Sequence, residues 1–168
     1  MAGEDKVHIL VVDDDPLLRR LFGGKLATVG YQILYASNGA DGREVARRMK
    51  PNLILMDINM PGYENGMDTA HRLKSEEETK DIPIIFLTNL DTTYDGEKKL
   101  IELAAESYIH KSIDLNDFLV KIQTFLTAPE SAEVNAPPAA ETQQKNTGKP
   151  KKNTNNKPVN ARSKAKKI

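Results

Sequence analysis

Residues 7–16 read Val7-His8-Ile9-Leu10-Val11-Val12-Asp13-Asp14-Asp15-Pro16: an aliphatic run that stops at three consecutive carboxylates and a proline. A run this short and this rich in Val and Ile suits a strand buried on both faces. Proline fits the first position of a helix, and Asp15 before it fits the N-cap. A strand, an acidic turn and a helix start are therefore expected in immediate succession.

The same punctuation recurs along the chain. Apolar runs at 32–36, 53–57, 82–88 and 107–110 are each short enough for a strand. Longer stretches of helical period lie between and after the runs, at 16–29, 38–50, 65–75, 92–105 and 114–126. In the last of these, Leu115, Phe118, Leu119, Ile122 and Leu126 form one apolar stripe behind a capping Asp114. Gly30 closes the first helix, and Gly23 and Gly24 within it each cost about 1 kcal/mol of helix propensity relative to Ala. Strict alternation of strand and helix predicts an α/β fold, a doubly wound five-stranded parallel sheet. Ligands of such folds sit beyond the carboxyl ends of the strands.

Composition narrows the chemistry. The chain has 168 residues and no cysteine, which excludes disulfides, thiol nucleophiles and thiolate metal centres. The length suits one ordinary domain with a tail and leaves no room for an ordinary DNA-binding effector domain. No apolar run is long enough for a secretory signal or a membrane span, so the expected location is cytoplasmic. The zero formal charge conceals a split. Residues 128–168 hold nine basic and three acidic residues, giving +6, while residues 1–127 carry −6. The expected organisation is a globular domain over 1–127 and a disordered basic tail rich in Lys, Asn and Pro over 128–168.

At the strand ends stand Asp13, Asp14 and Asp15 after the first run, Asp57 closing the third, Thr88 closing the fourth, and Lys111 after the fifth. All would share one rim. Carboxylates gathered there repel one another and would take up protons unless a cation intervenes. Oxygen donors alone, with no His or Cys at ligand spacing, point to magnesium. A metal, an ammonium and a hydroxyl beside a lone Asp suit phosphoryl transfer to that Asp. Asp57 would then accept the phosphoryl group, Asp14 would bind magnesium with support from Asp13, and Lys111 and Thr88 would hold the group.

Several acids and histidines have plainer readings. Asp15 reads as a helix cap, the run Glu76, Glu77 and Glu78 as a solvated face, and His8, His71 and His110 as surface or rim residues.

Taken together, VVDDDP (11–16), LILMDINMPG (53–62), FLT (86–88) and YIHK (108–111) resemble the receiver domain of two-component response regulators, in its stand-alone form. The resemblance covers about residues 6–126. It implies a flavodoxin-like strand order 2-1-3-4-5, magnesium as cofactor, and a histidine kinase or histidine phosphotransfer protein as phosphoryl donor. It also implies that the backbone carbonyl of Asn59 joins Asp13, Asp14 and Asp57 around the metal. Thr88 would act as a switch hydroxyl and Tyr108 as the aromatic that turns inward with it. The output would be a changed protein-binding surface rather than substrate turnover, with self-phosphorylation and self-dephosphorylation the most chemistry expected.

The chain departs from that family in three places. One extra residue lies between Pro61 and Gly66, Ser112 follows Lys111 where proline is usual, and Asn89 and Leu90 follow Thr88 where the family commonly has a small residue and then a polar one. Two other functions compete. One is a haloacid-dehalogenase-like phosphohydrolase using Asp13 and Asp15, against which stand Pro16 and the lack of a late acidic pair. The other is a receiver-like scaffold that takes no phosphate. The tail, with eight basic and no acidic residues over 149–168, would attract nucleic acid, an anionic membrane surface or an acidic partner. It has no aromatic for base stacking and no apolar face for insertion, which equally suits a solvated tail.

Bulk at Asn89 and apolarity at Leu90 are expected to hinder water at an acyl phosphate. The double substitution Asn89→Ala, Leu90→Glu should shorten the phosphoryl lifetime severalfold, as followed by loss of label from phosphorylated protein.

Overall fold

The computed structural model describes residues 6–89 and 105–128. The strands are β1 (His8–Val12), β2 (Gln32–Ala36), β3 (Leu53–Asp57), β4 (Ile84–Thr88) and β5 (Ser107–His110). The helices are α1 (Pro16–Ala27), α2 (Gly39–Met49), α3 (Gly66–Ser75) and α4 (Leu115–Thr127). Apart from its last residue, the helix expected over 92–105 lies outside the described residues. So does the expected tail beyond Ala128.

All four strand pairings are parallel, and they set the order β2-β1-β3-β4-β5. Strands β3 and β4 are buried at every position. Side chains alternate between the faces of a strand, so each apolar run feeds two cores. Leu10, Val12, Ile54, Met56, Ile84 and Phe86 meet Ala46 of α2 and Ala70 and Leu73 of α3 on one face. Ile9, Val11, Leu53, Leu55, Ile85, Leu87 and Ile109 meet Phe22 and Leu26 of α1 and Phe118 and Ile122 of α4 on the other. There the Phe22 and Phe118 rings pack at a tilt, their centroids 4.8 Å apart. Each such side chain contributes roughly 1.5–3 kcal/mol when fully buried. β2, an edge strand, keeps a half-exposed face that includes Tyr35.

Polar side chains set the helix starts. Asp15 accepts from Leu17 N and Leu18 N, and Asp114 accepts from Asn116 N and Asp117 N. Asn65 and Asp68 form a reciprocal capping box. Some boundaries move from expectation. α1 stops at Ala27 with Thr28 as its C-cap, so Gly30, at φ +96°, serves the following turn. β4 begins at Ile84 rather than residue 82, because Pro83 has no N–H for a ladder and Ile82 N bonds to Thr79 O at 3.0 Å.

Two glycines separate packing from propensity. Gly66 opens α3 against the end of β3, and a Cβ there would fall inside the contact radius of the Asp57 carbonyl oxygen. Gly24 in α1 faces open space. Gly66→Ala should therefore destabilise the fold by about 1–3 kcal/mol through overpacking. Gly24→Ala should stabilise it by up to about 1 kcal/mol. Urea unfolding of both variants checks the opposite signs.

Candidate functional site

The three central strands end together, and the turns that follow them converge. Asp13 is fully buried: its N–H donates to Ala36 O at 3.2 Å, and its Oδ1 accepts from Asp15 N at 2.9 Å. This second bond closes the acidic turn, leaving Asp14 exposed between a buried acid and a cap. Asp57 is 3% exposed at the last position of β3, and its Oδ1 accepts from Asn59 N at 3.2 Å. Asp13, Asp14 and Asp57 each bring a carboxylate oxygen within 4.8 Å of the other two.

Lys111 crosses to these acids from beyond β5. Its Nζ lies 2.8 Å from Asp13 Oδ2 and 2.9 Å from Asp57 Oδ2. Its own N–H donates to Thr88 O at 2.7 Å. Thr88 is buried at the end of β4, where it pairs in register with His110. Tyr108, half-buried on β5, packs against the core under α2 and α3. Asn59 is exposed at the start of the loop after β3.

Burial pushes the Asp13 carboxyl above its ordinary pKa, although hydrogen bonds from Lys111 and the Asp15 N–H favour its charged form. Burial pulls the Lys111 ammonium down, but its bonds to Asp13 and Asp57 outweigh this and hold its pKa above the usual value. Lys111 therefore stays charged throughout the neutral range. With all three acids ionised, three negative charges face one positive charge, an imbalance that one divalent cation would neutralise. The donor set fits magnesium: hard oxygens only, an exposed carboxylate at Asp14 and open water beyond it.

One expectation is met here and one changes. Asp15 spends its carboxylate on the N-terminus of α1, so the Asp13 and Asp15 pair of the phosphohydrolase reading is not free for a metal. Glu76 is more than a solvated charge, because Arg47 holds it through two hydrogen bonds of 2.7 and 3.0 Å, and these lower its pKa.

The lengthened loop after Asp57 turns at Gly62, whose φ of +126° favours glycine. It exposes Tyr63 completely and anchors Glu64 between Arg43 at 3.1 Å and Arg72 at 3.6 Å. Sequence reasoning missed this anchor, as it missed Arg19, whose Nη1 donates to the Asp13 carbonyl. Neither pairing follows from helical or strand period. Only the extra residue between Pro61 and Gly66 signalled that the loop needed its own fastening.

Residues 9–123 match the response regulator receiver domain family. Protein PilH of Pseudomonas aeruginosa is 37% identical over 122 residues, covering 71% of this chain and 97% of that protein. The polar-differentiation response regulator DivK of Brucella anthropi is 31% identical over 118 residues, 70% of this chain and 94% of that protein. Other relatives are longer. The chain spans 48% of the DNA-binding dual master transcriptional regulator RpaA of Synechocystis, at 31% identity over 119 residues. Chemotaxis protein CheY4 of Vibrio cholerae shares the fold, with a TM-score of 0.66, 23% identity, and coverage of 70% of this chain and 97% of that one. No described helix is long and apolar enough to cross a membrane. The match over 9–123 and a buried Asp57 ion-paired to Lys111 across the sheet rim leave the phosphohydrolase and scaffold readings without support: the chain belongs to the response regulator receiver domain family, whose members are signalling modules switched by phosphorylation.

Proposed function

We propose that Asp57 accepts the phosphoryl group from a histidine kinase or histidine phosphotransfer protein in a magnesium-dependent step, within a receiver domain over 1–127 followed by a basic tail over 128–168. The reading is carried by Lys111 Nζ, which lies within 2.9 Å of carboxylate oxygens from two separate strand ends. In the transfer, a carboxylate oxygen of Asp57 attacks phosphorus. The bond from phosphorus to the donor imidazole breaks, and that nitrogen leaves with the bonding electrons. Lys111 offers its ammonium to the phosphoryl oxygens, and the Thr88 hydroxyl donates a hydrogen bond. Asp13, Asp14, Asp57 and the Asn59 carbonyl would hold magnesium, which when bound neutralises charge on the transferring oxygens.

The output is a changed surface. Thr88 and Tyr108 act as the switch pair, altering the face made by β5, α4 and the residues expected to form a helix over 92–105. A cytoplasmic location agrees with the kind of donor. Turnover is confined to gain and loss of the protein's own phosphoryl group.

Incubation with magnesium and acetyl phosphate should add one phosphoryl mass to the full chain, as read by intact mass spectrometry. Asp57→Asn should add none. An Asp57→Asn variant that gains the same mass at the same rate would overturn the assignment.

A second prediction follows from the raised Asp13 pKa. A carboxyl raised in the fold supplies stability below its unfolded pKa of about 3.9, and loses it as pH climbs through the folded value. Ionised Asp13 therefore opposes folding at neutral pH. Asp13→Asn keeps the Oδ1 acceptor for Asp15 N–H and removes the charge. Without divalent cation, its melting temperature at pH 7 should exceed that of the natural protein by a few degrees. Added magnesium should then raise the melting temperature of the natural protein much more than that of the variant.

A further inference from the structure

We propose that Ser112 and His110 form a side-chain latch that positions Lys111, taking the place of the proline usual after this lysine in the family. The proposal rests on the reading above, in which Lys111 holds the transferring phosphoryl group. It makes Ser112 and His110 positioning residues, neither of which touches that group.

Lys111 sits in a single turn between them. The backbone closes the turn through Ile113 N donating to His110 O at 3.0 Å, and Lys111 N ties it to Thr88 O at 2.7 Å. The imidazole then folds over the turn. His110 Nδ1 lies 2.7 Å from Ser112 Oγ and accepts from Ser112 N at 3.3 Å. A backbone N–H can only donate, so Nδ1 presents its lone pair and the ring proton rests on Nε2. The Ser112 hydroxyl must then donate as well. Both donors of residue 112 thus converge on one nitrogen of residue 110, clasping the turn on either side of the lysine.

Proline at 112 would offer neither donor, so the latch and the usual family residue exclude each other. The imidazole gains its partners on the Nδ1 side only, since Nε2 is buried without a hydrogen bond among the described residues. A long, flexible ammonium that must meet two carboxylates at once needs its backbone held, and the latch holds it.

The test uses the full chain and four variants: Ser112→Ala, Ser112→Thr, His110→Ala and the double alanine. Lys111 exposure is read without phosphorylation, as the rate at which acetic anhydride acylates it, by peptide mass spectrometry. The maximal rate and KM for acetyl phosphate with magnesium are measured in parallel, after melting curves confirm folding. Ser112→Ala and His110→Ala should each speed acylation of Lys111 and lower the maximal rate on the order of tenfold. Ser112→Thr, which keeps both donors, should restore both readouts. The double variant should be no worse than the worse single one, because both break the same contact. Natural acylation rates in both single alanine variants would overturn the latch, as would losses that simply multiply in the double variant. If the natural protein takes no phosphoryl group, the acceptor reading fails and acylation alone decides the latch.

Discussion

One ammonium between two buried carboxylates constrains this molecule more than any other contact. Lys111 Nζ must reach both Asp13 and Asp57, which enter the rim from β1 and β3, while the lysine itself follows β5 with β4 in between. The distances hold only if four strands keep a fixed register, and that register comes from residues remote from any chemistry. Pairing such as Met56 with Phe86 and Phe86 with Tyr108 is set by apolar side chains on alternating faces. A slip of one residue would put Met56 or Ile58, according to its direction, where Asp57 now stands at the rim.

The site opposes the fold that carries it. Burial raises the Asp13 pKa, and three acids outnumber the one ammonium among them. The opposition is tolerated because each turn is fastened separately: Asp15 caps α1, the Asn65 and Asp68 box caps α3, and Asp114 caps α4. Glu64 adds a fastening for the longest of these loops by engaging Arg43 of α2 and Arg72 of α3. The Arg72 pair is too exposed to contribute much to global stability, whereas the Arg43 pair is largely shielded from solvent; together they fix where the loop after Asp57 runs.

What the sequence made legible follows from periodicity. Consecutive aliphatics at Ile9, Leu10, Val11 and Val12 put apolar side chains on both faces of a strand, so the sequence itself calls for two helical layers. The acids and the lysine were readable because a strand end is where side chains leave the core. Less legible was whatever depends on approach between segments far apart in the chain. Nothing local distinguishes Gly66, pressed against the Asp57 carbonyl, from Gly24 in open space. The pairing of Glu76 with Arg47 requires knowing that α2 and α3 lie side by side, which no single helix pattern states. Ser112 was visible as a departure, but its partner emerged only from the path of the turn.

The same turn explains how a charge added at Asp57 could be felt elsewhere in the sheet. A ligand or modification shifts a conformational equilibrium only through interactions that differ between the two states. Lys111 supplies such a difference because its side chain pairs with Asp57 while its backbone N–H holds the Thr88 carbonyl at 2.7 Å. On the proposed reading, a phosphoryl group on Asp57 would replace one carboxylate partner of the ammonium with a more highly charged one. Any adjustment of Lys111 to that partner would reach Thr88 through the hydrogen bond from Lys111 N to the Thr88 carbonyl. Acceptor, lysine and switch hydroxyl would then work as one unit, with the turn from His110 to Ile113 deciding how stiffly they are joined.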